Sequence, residues 1–154
     1  MESQSLEVLV SLTKPYAKVP SFGSEHAAGA DLYACIEPDT VIHIEPGQTK
    51  MVSLGIKTEI PNGYVGLVYA RSGLATKEGL APANKVGVID SDYRGEWFAP
   101  LYNQSNETKT IKNGDRIAQV IIQEIPKISF ITVDSDDLLS TTERDKGGFG
   151  STGK

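Results

Sequence analysis

Asp90, Ser91, Asp92 and Tyr93 follow directly on the run Val86-Gly87-Val88-Ile89, so a carboxylate and a phenol stand where a β-branched segment ends. A carboxylate placed there can take a proton from water, or it can merely cap the bend with its own oxygens. Gly87, inside the run, marks a point of close backbone approach, by another strand or by a ligand. A second set is Arg71-Ser72-Gly73, where a strand gives way to a short helix. Guanidinium, hydroxyl and N–H groups gather there at a positive dipole end, which suits an anion; the plainer alternative is an N-cap serine beside a surface arginine. A third is Gly114-Asp115-Arg116-Ile117-Ala118-Gln119. Arg116 and Gln119 lie an odd number of residues apart, so strand geometry predicts opposite faces, with one of them meeting a ligand directly. Asp31 is a lone carboxylate behind Ala27-Ala28-Gly29-Ala30 and suits either a turn cap or a site.

The glycine-rich stretch Gly148-Phe149-Gly150-Ser151-Thr152-Gly153-Lys154 superficially matches a phosphate-binding loop. That match fails, because no strand leads into it and the Ser/Thr that must follow the lysine is missing. The ingredients of polyphosphate binding remain in glycine N–H groups, two hydroxyls, Arg144 and Lys146. Composition alone also fits a solvated tail, although Phe149 is well placed to stack on a flat ligand.

These groups need a scaffold, and the chain of 154 residues is long enough for one core. Strands are expected at residues 6–12, after the small residues around Asp31, and at 41–44, 49–60, 64–69, 86–89, 96–103, 108–112, 117–125 and 128–133, with turn signals at Pro46-Gly47, Pro61-Asn62-Gly63 and Asn113-Gly114. Asp90-Ser91-Asp92, with Gly95 at positive φ, is expected to fold residues 84–103 into a hairpin. One short helix fits residues 72–78, stopped by Gly79. This pattern predicts an all-β sandwich or barrel, with one domain over residues 1–133 and an arm over 134–154.

Hydrophobic residues make up 39% and charged residues 23%, ordinary for a globular chain, and the net charge of −5 leaves no basic footprint for nucleic acid or an anionic membrane. Any anionic ligand must therefore be captured by local groups. The single cysteine, Cys35, excludes an internal disulfide, and its apolar neighbours fit a core thiol in a reducing compartment. His26 and His43 lack partners at zinc-ligand spacing. No signal peptide and no membrane span are expected, which places the protein in the cytoplasm.

Taken in order, five segments resemble the motifs of the trimeric deoxyuridine triphosphate nucleotidohydrolases (dUTPases). They are Ala28-Gly29-Ala30-Asp31-Leu32-Tyr33-Ala34, Arg71-Ser72-Gly73-Leu74-Ala75, Gly87-Val88-Ile89-Asp90-Ser91-Asp92-Tyr93-Arg94-Gly95, Gly114-Asp115-Arg116-Ile117-Ala118-Gln119, and residues 144–153. Two departures stand out: Asp145 where glycine commonly follows the arm's arginine, and Tyr69-Ala70 where a pair ending in proline is usual.

The resemblance implies a jelly-roll subunit, a homotrimer with active sites at subunit junctions, and Mg²⁺-dependent hydrolysis of dUTP to dUMP and pyrophosphate, which limits uracil incorporation into DNA. It implies that the second and fourth motifs come from one subunit, the first and third from its neighbour, and the arm from the third. Asp90 is then the base that activates water. Asn84, Gly87 and Ile89 frame the uracil, Tyr93 packs on the deoxyribose, and Phe149 covers the base. Arg71, Ser72, Gly73 and Gln119 serve the phosphates, while Arg144, Gly150, Ser151 and Thr152 clamp the γ-phosphate. Asp31 holds the metal through water. Two alternatives are a dCTP deaminase of the same fold, distinguished by ammonia release, and a regulatory protein that uses the nucleotide site as a switch.

Overall fold

Side chains that alternate along this chain fold as strands with one face inward. A computed structural model describes residues 5–150. Its elements are β1 (Leu9–Leu12), β2 (Ser21–Phe22), β3 (Ala30–Tyr33), β4 (Val41–Ile44), β5 (Thr49–Ser53), β6 (Ile56–Glu59), β7 (Tyr64–Tyr69), α1 (Ser72–Lys77), β8 (Leu80–Pro82), β9 (Gly87–Ile89), β10 (Phe98–Asn103), β11 (Lys109–Lys112) and β12 (Arg116–Glu124). A single 3-10 turn follows at Asp136–Leu138. Every ladder is antiparallel, and the sheet orders are β1-β6, β5-β10-β8, β11-β4 and β2-β3-β12-β7-β9.

Alternation is clearest in β10, where Ala99, Leu101 and Asn103 are buried and Phe98 faces out. Leu32, Ile44, Val52, Leu54, Ile56, Leu101 and Ile117 are each at most 1% exposed and bring the sheets together. Burying each such side chain stabilises by about 1.5–3 kcal/mol. Asn103 is a fully buried polar residue among these side chains. Its amide donates to Ile44 O and Glu107 O, both at 2.8 Å, so its burial leaves no donor stranded. Cys35 is buried as expected, and loss of solvent pushes its thiol up from the ordinary value. Helix α1 lies where the sequence placed it, and Gly79 at φ +69° ends it.

Several expectations fail for tertiary reasons. Residues 84–103 do not form a hairpin, because β9 pairs with β7 while β10 pairs with β5 and β8. The segment between them carries the chain from one sheet to another, anchored by Trp97 at 2% exposure. Gly95 is absent from the positive-φ glycines. It is glycine because the Tyr93 ring folds over it, the phenol donating to Glu96 O at 3.0 Å. Residues 49–60 are two strands, since Leu54 N–H donates to Trp97 O and Trp97 N–H donates to Ile56 O, both at 2.9 Å. Residues 6–8 lie outside β1. Residues 128–133 form no strand, and Ile128, Phe130 and Ile131 are 68%, 94% and 84% exposed.

Gly55 makes the break between β5 and β6 possible. It sits at φ +67°, and a Cβ there would stand 2.6 Å from Cys35 Sγ and 2.7 Å from Ala17 Cβ. Gly55→Ala should therefore lose about 1–2 kcal/mol to backbone strain and about 1–3 kcal/mol more to overpacking. Gly47→Ala, at φ +74° in open space, should lose only the first. Urea unfolding of both variants checks the difference.

Candidate active site

Three neighbouring strands build the charged part of the site. In the five-stranded sheet Asp31 of β3 stands opposite Gln119 of β12, which stands opposite Tyr69 of β7. Strand β7 ends there, and Ala70-Arg71 leads into α1. The Asp31 carboxylate, only 13% exposed, accepts Arg71 Nε at 2.8 Å and faces Arg116 Nη1 at 3.5 Å. Arg71 Nη1 also donates to Arg116 O at 3.4 Å. Gln119 Nε2 donates to Ala70 O at 2.8 Å, which fixes the amide beside the arginines. Arg116 and Gln119 therefore serve one cluster. The expected split between faces fails because the β12–β3 register shifts between Arg116 and Ala118, and a bulge resets the alternation.

Ser72 and Gly73 open α1 and are exposed, and Gly73 has nothing within 4 Å of where a Cβ would lie. The N-cap position belongs to Arg71 and has no side-chain cap bond, so Ser72 is not the N-cap serine. Arg71 and Arg116 also line a cleft with Lys109, whose ammonium pairs with Glu78 at 3.0 Å. Among the described residues no group of three His, Cys, Asp or Glu side chains could hold a metal ion by itself.

The second part is the rim of β9. This strand lies at the end of its sheet, so one of its edges carries no neighbour among the described residues. Gly66 on β7 admits it: a Cβ there would stand 3.3 Å from Ile89 Cβ and 3.4 Å from the Trp97 ring. Gly87 is similarly confined: a Cβ there would stand 3.2 Å from Val68 Cβ and 3.4 Å from the Asn84 amide nitrogen, so both a strand and a polar side chain approach it. Asp90 follows the strand, its carbonyl accepting Tyr93 N–H at 3.1 Å. Asp90, Tyr93, Ile89, Met51 and Phe98 line a cleft of about 240 Å³.

Within one chain these two parts do not meet. Ile89 lies opposite Gly66, and β7 runs on to Tyr69 before Ala70 and Arg71 leave the strand. At ~3.3 Å per residue the end of β7 is roughly 10 Å along the sheet from Ile89, and Asp90 leads away from it. The first, second and fourth motifs thus cluster in one chain, and the third stands apart. This corrects the grouping of the first motif with the third.

In the arm, Arg144 Nε donates to Gly147 O at 2.8 Å, Phe149 is fully exposed, and Gly150 lies at φ +89°. Ser151 and Thr152 lie outside the described residues.

An all-β scaffold that holds two arginines, a carboxamide and a shielded carboxylate at one sheet end defines a protein suited to an oxyanion-rich ligand. The dUTPase family model matches residues 15–153, and the chain belongs to that family. It is 47% identical over 137 residues to the deoxyuridine 5'-triphosphate nucleotidohydrolase of Desulfitobacterium hafniense (strain DSM 10664 / DCB-2), covering 88% of this chain and 87% of that protein. It is 41% identical over 150 residues to the enzyme of the same description from Syntrophotalea carbinolica, covering 97% and 99%. Among solved structures, a point mutant of the Staphylococcus bacteriophage 80alpha dUTPase with dUpNHpp aligns at a TM-score of 0.83 and 26% identity, covering 96% of this chain and 99% of that one.

Gly29 sets the pose of Gln119. A Cβ on Gly29 would fall 2.5 Å from Gln119 Oε1, the far end of a side chain that can move. Gly29→Ala should fold with stability within about 1 kcal/mol of the parent. Displacing the amide should lower kcat/KM about tenfold, the scale of one hydrogen bond to a charged group. In a Gln119→Ala background the same change should lower it no further, which a double-mutant cycle measures.

Proposed function

We propose that this chain hydrolyses dUTP to dUMP and pyrophosphate at a site completed by more than one copy of itself. The observation that carries this reading is the separation just described. Groups suited to phosphate lie around Asp31, groups suited to a nucleoside and to water activation lie around β9, and a second copy can bring them together. The reaction limits uracil incorporation into DNA and supplies dUMP for thymidylate synthesis.

Uracil and cytosine differ at one edge, carbonyl against amino. The free edge of β9, around Gly87 and Ile89 with Asn84 beside it, offers fixed N–H and C=O groups that can match only one of them. Groups left unpaired by the wrong base make such an edge selective. Tyr93, held by its bond to Glu96 O, packs against the sugar and leaves no room for a 2′-hydroxyl. Asp90 is exposed and takes the proton of the water that attacks the α-phosphorus. Arg71, Ser72, Gly73 and Gln119 donate to the phosphates. Arg144, Gly150, Ser151 and Thr152 clamp the γ-phosphate while Phe149 covers the base and excludes water.

The donor set suits Mg²⁺ carried by the triphosphate better than a protein-bound ion, because the site offers one carboxylate flanked by arginines. Asp31 is the residue that would hold the ion, through water. Bound Mg²⁺ neutralises phosphate charge and fixes phosphate geometry.

Residues 128–133 support an assembly, since among the described residues little covers Ile128, Phe130 and Ile131. They suit burial on another copy, in a homotrimer of jelly-roll subunits with residues 1–133 as the body and 134–154 as the arm. A reducing cytoplasm suits the single buried thiol.

Pyrophosphate release across dUTP, dTTP, dCTP and UTP, with and without Mg²⁺, tests the reaction. Turnover should require Mg²⁺ and favour dUTP by at least about 10²-fold. Asp90→Asn should bind dUTP yet turn over about 10²–10⁴-fold more slowly. Ammonia from dCTP, or parental turnover in the variant, would overturn the assignment.

Light scattering should give three times the 16.6 kDa chain mass. Phe130→Asp should lower both mass and turnover. A fully active monomer at micromolar concentration would sink the shared site.

A further inference from the structure

The arm is structured around Arg144. Asp145 takes φ +41°, a left-handed conformation that Asp and Asn tolerate better than other residues with a side chain. That conformation closes a turn, in which Gly147 N–H donates to Arg144 O at 2.8 Å. Asp145 N–H donates to Thr142 Oγ1 at 3.0 Å, tying the turn to the residue two before the arginine. Arg144 Nε then donates to Gly147 O at 2.8 Å. The backbone of Arg144 and its guanidinium are thus held by the same six-residue segment, 142–147.

A guanidinium has five N–H donors, and this arrangement uses one of them. The four on Nη1 and Nη2 remain, and they form the edge that matches a phosphate with two parallel hydrogen bonds. Among the described residues no carboxylate comes within ion-pair distance of Arg144, including Asp145 beside it and Glu143 before it. Asp145 stands where glycine commonly follows the arginine, and the positive φ gives the reason both residues fit. Asp145 keeps the turn while removing some of the freedom that glycine would give the open arm.

We propose that residues 142–147 form a preformed holder for Arg144, with Thr142 and Asp145 as positioning residues for the γ-phosphate clamp. This rests on the reading of Arg144 as a clamp residue. The holder orders a long side chain before the ligand arrives, so less ordering remains to be done on binding. Backbone conformation at residue 145, and not its charge, sets the affinity.

The test is calorimetric titration of the full-length protein with dUpNHpp and, separately, with dUMP, which lacks the β- and γ-phosphates. Thr142→Val removes the acceptor for Asp145 N–H, and Asp145→Val places a β-branched residue at positive φ. Each should weaken dUpNHpp binding roughly three- to tenfold. Thr142→Ser and Asp145→Asn preserve the acceptor and the conformation, and should stay within about twofold of the parent, a difference too small to count as loss of an ordered side chain. dUMP affinity should be unchanged throughout.

Parental affinity in Thr142→Val and Asp145→Val, with Arg144→Ala weakened, would overturn the holder and leave the clamp standing. So would a large change in Asp145→Asn, which would make charge the cause, or a parallel loss of dUMP affinity, which would mean general damage. Parental dUpNHpp affinity in Arg144→Ala would instead remove the clamp itself.

Discussion

Asp31, shielded between Arg71 and Arg116, is the interaction on which the site depends. Its carboxylate is mostly out of water, so removing either arginine would leave a poorly solvated charge. The two guanidiniums, in turn, would repel each other without the carboxylate between them. Holding all three requires β3, β12 and β7 side by side in register, the bulge at Arg116/Ala118, and the chain's exit at Ala70. Sheet order and site electrostatics are one constraint here.

The same sheet separates the charged cluster around Asp31 from the residues that follow β9. Strand β9 is antiparallel to β7, so continuing from Gly87 toward Asp90 moves away from Arg71. A short strand cannot turn back, and the following segment departs to pair with β5 and β8 through β10. Asp90 and Arg71 therefore do not converge along this sheet.

Much of this was legible in the residues. The turns at Gly47, Gly63, Gly79 and Gly114 all take positive φ, and the helix between β7 and β8 lies where its sequence pointed. What stayed hidden was partner choice. Val86-Gly87-Val88-Ile89 and Phe98-Ala99-Pro100-Leu101 both favour extended backbone, but nothing local says that they join different sheets. Residues 49–60 look continuous because the reason for their break, Trp97 bonding on both sides of Gly55, lies some forty residues away. Residues 128–133 carry strand propensity without a ladder in their own chain. The bulge in β12 defeated a parity argument that any regular strand would have satisfied. The candidate residues were nameable from their motifs, while their division between clusters needed the register.

The unpaired edge of β9 also bears on solubility. A free strand edge invites another chain to extend the sheet, the route by which edge strands nucleate aggregates. Here the exposed ladder is only three residues long, and it is bracketed by Lys85 on one side and by Asp90 and Asp92 on the other. Lys85 lies at φ +66°, so the chain bends sharply before the edge begins. A passing strand would meet charge and a kink two residues before Gly87 and a carboxylate directly after Ile89. Brevity and flanking charge close the edge to polypeptide.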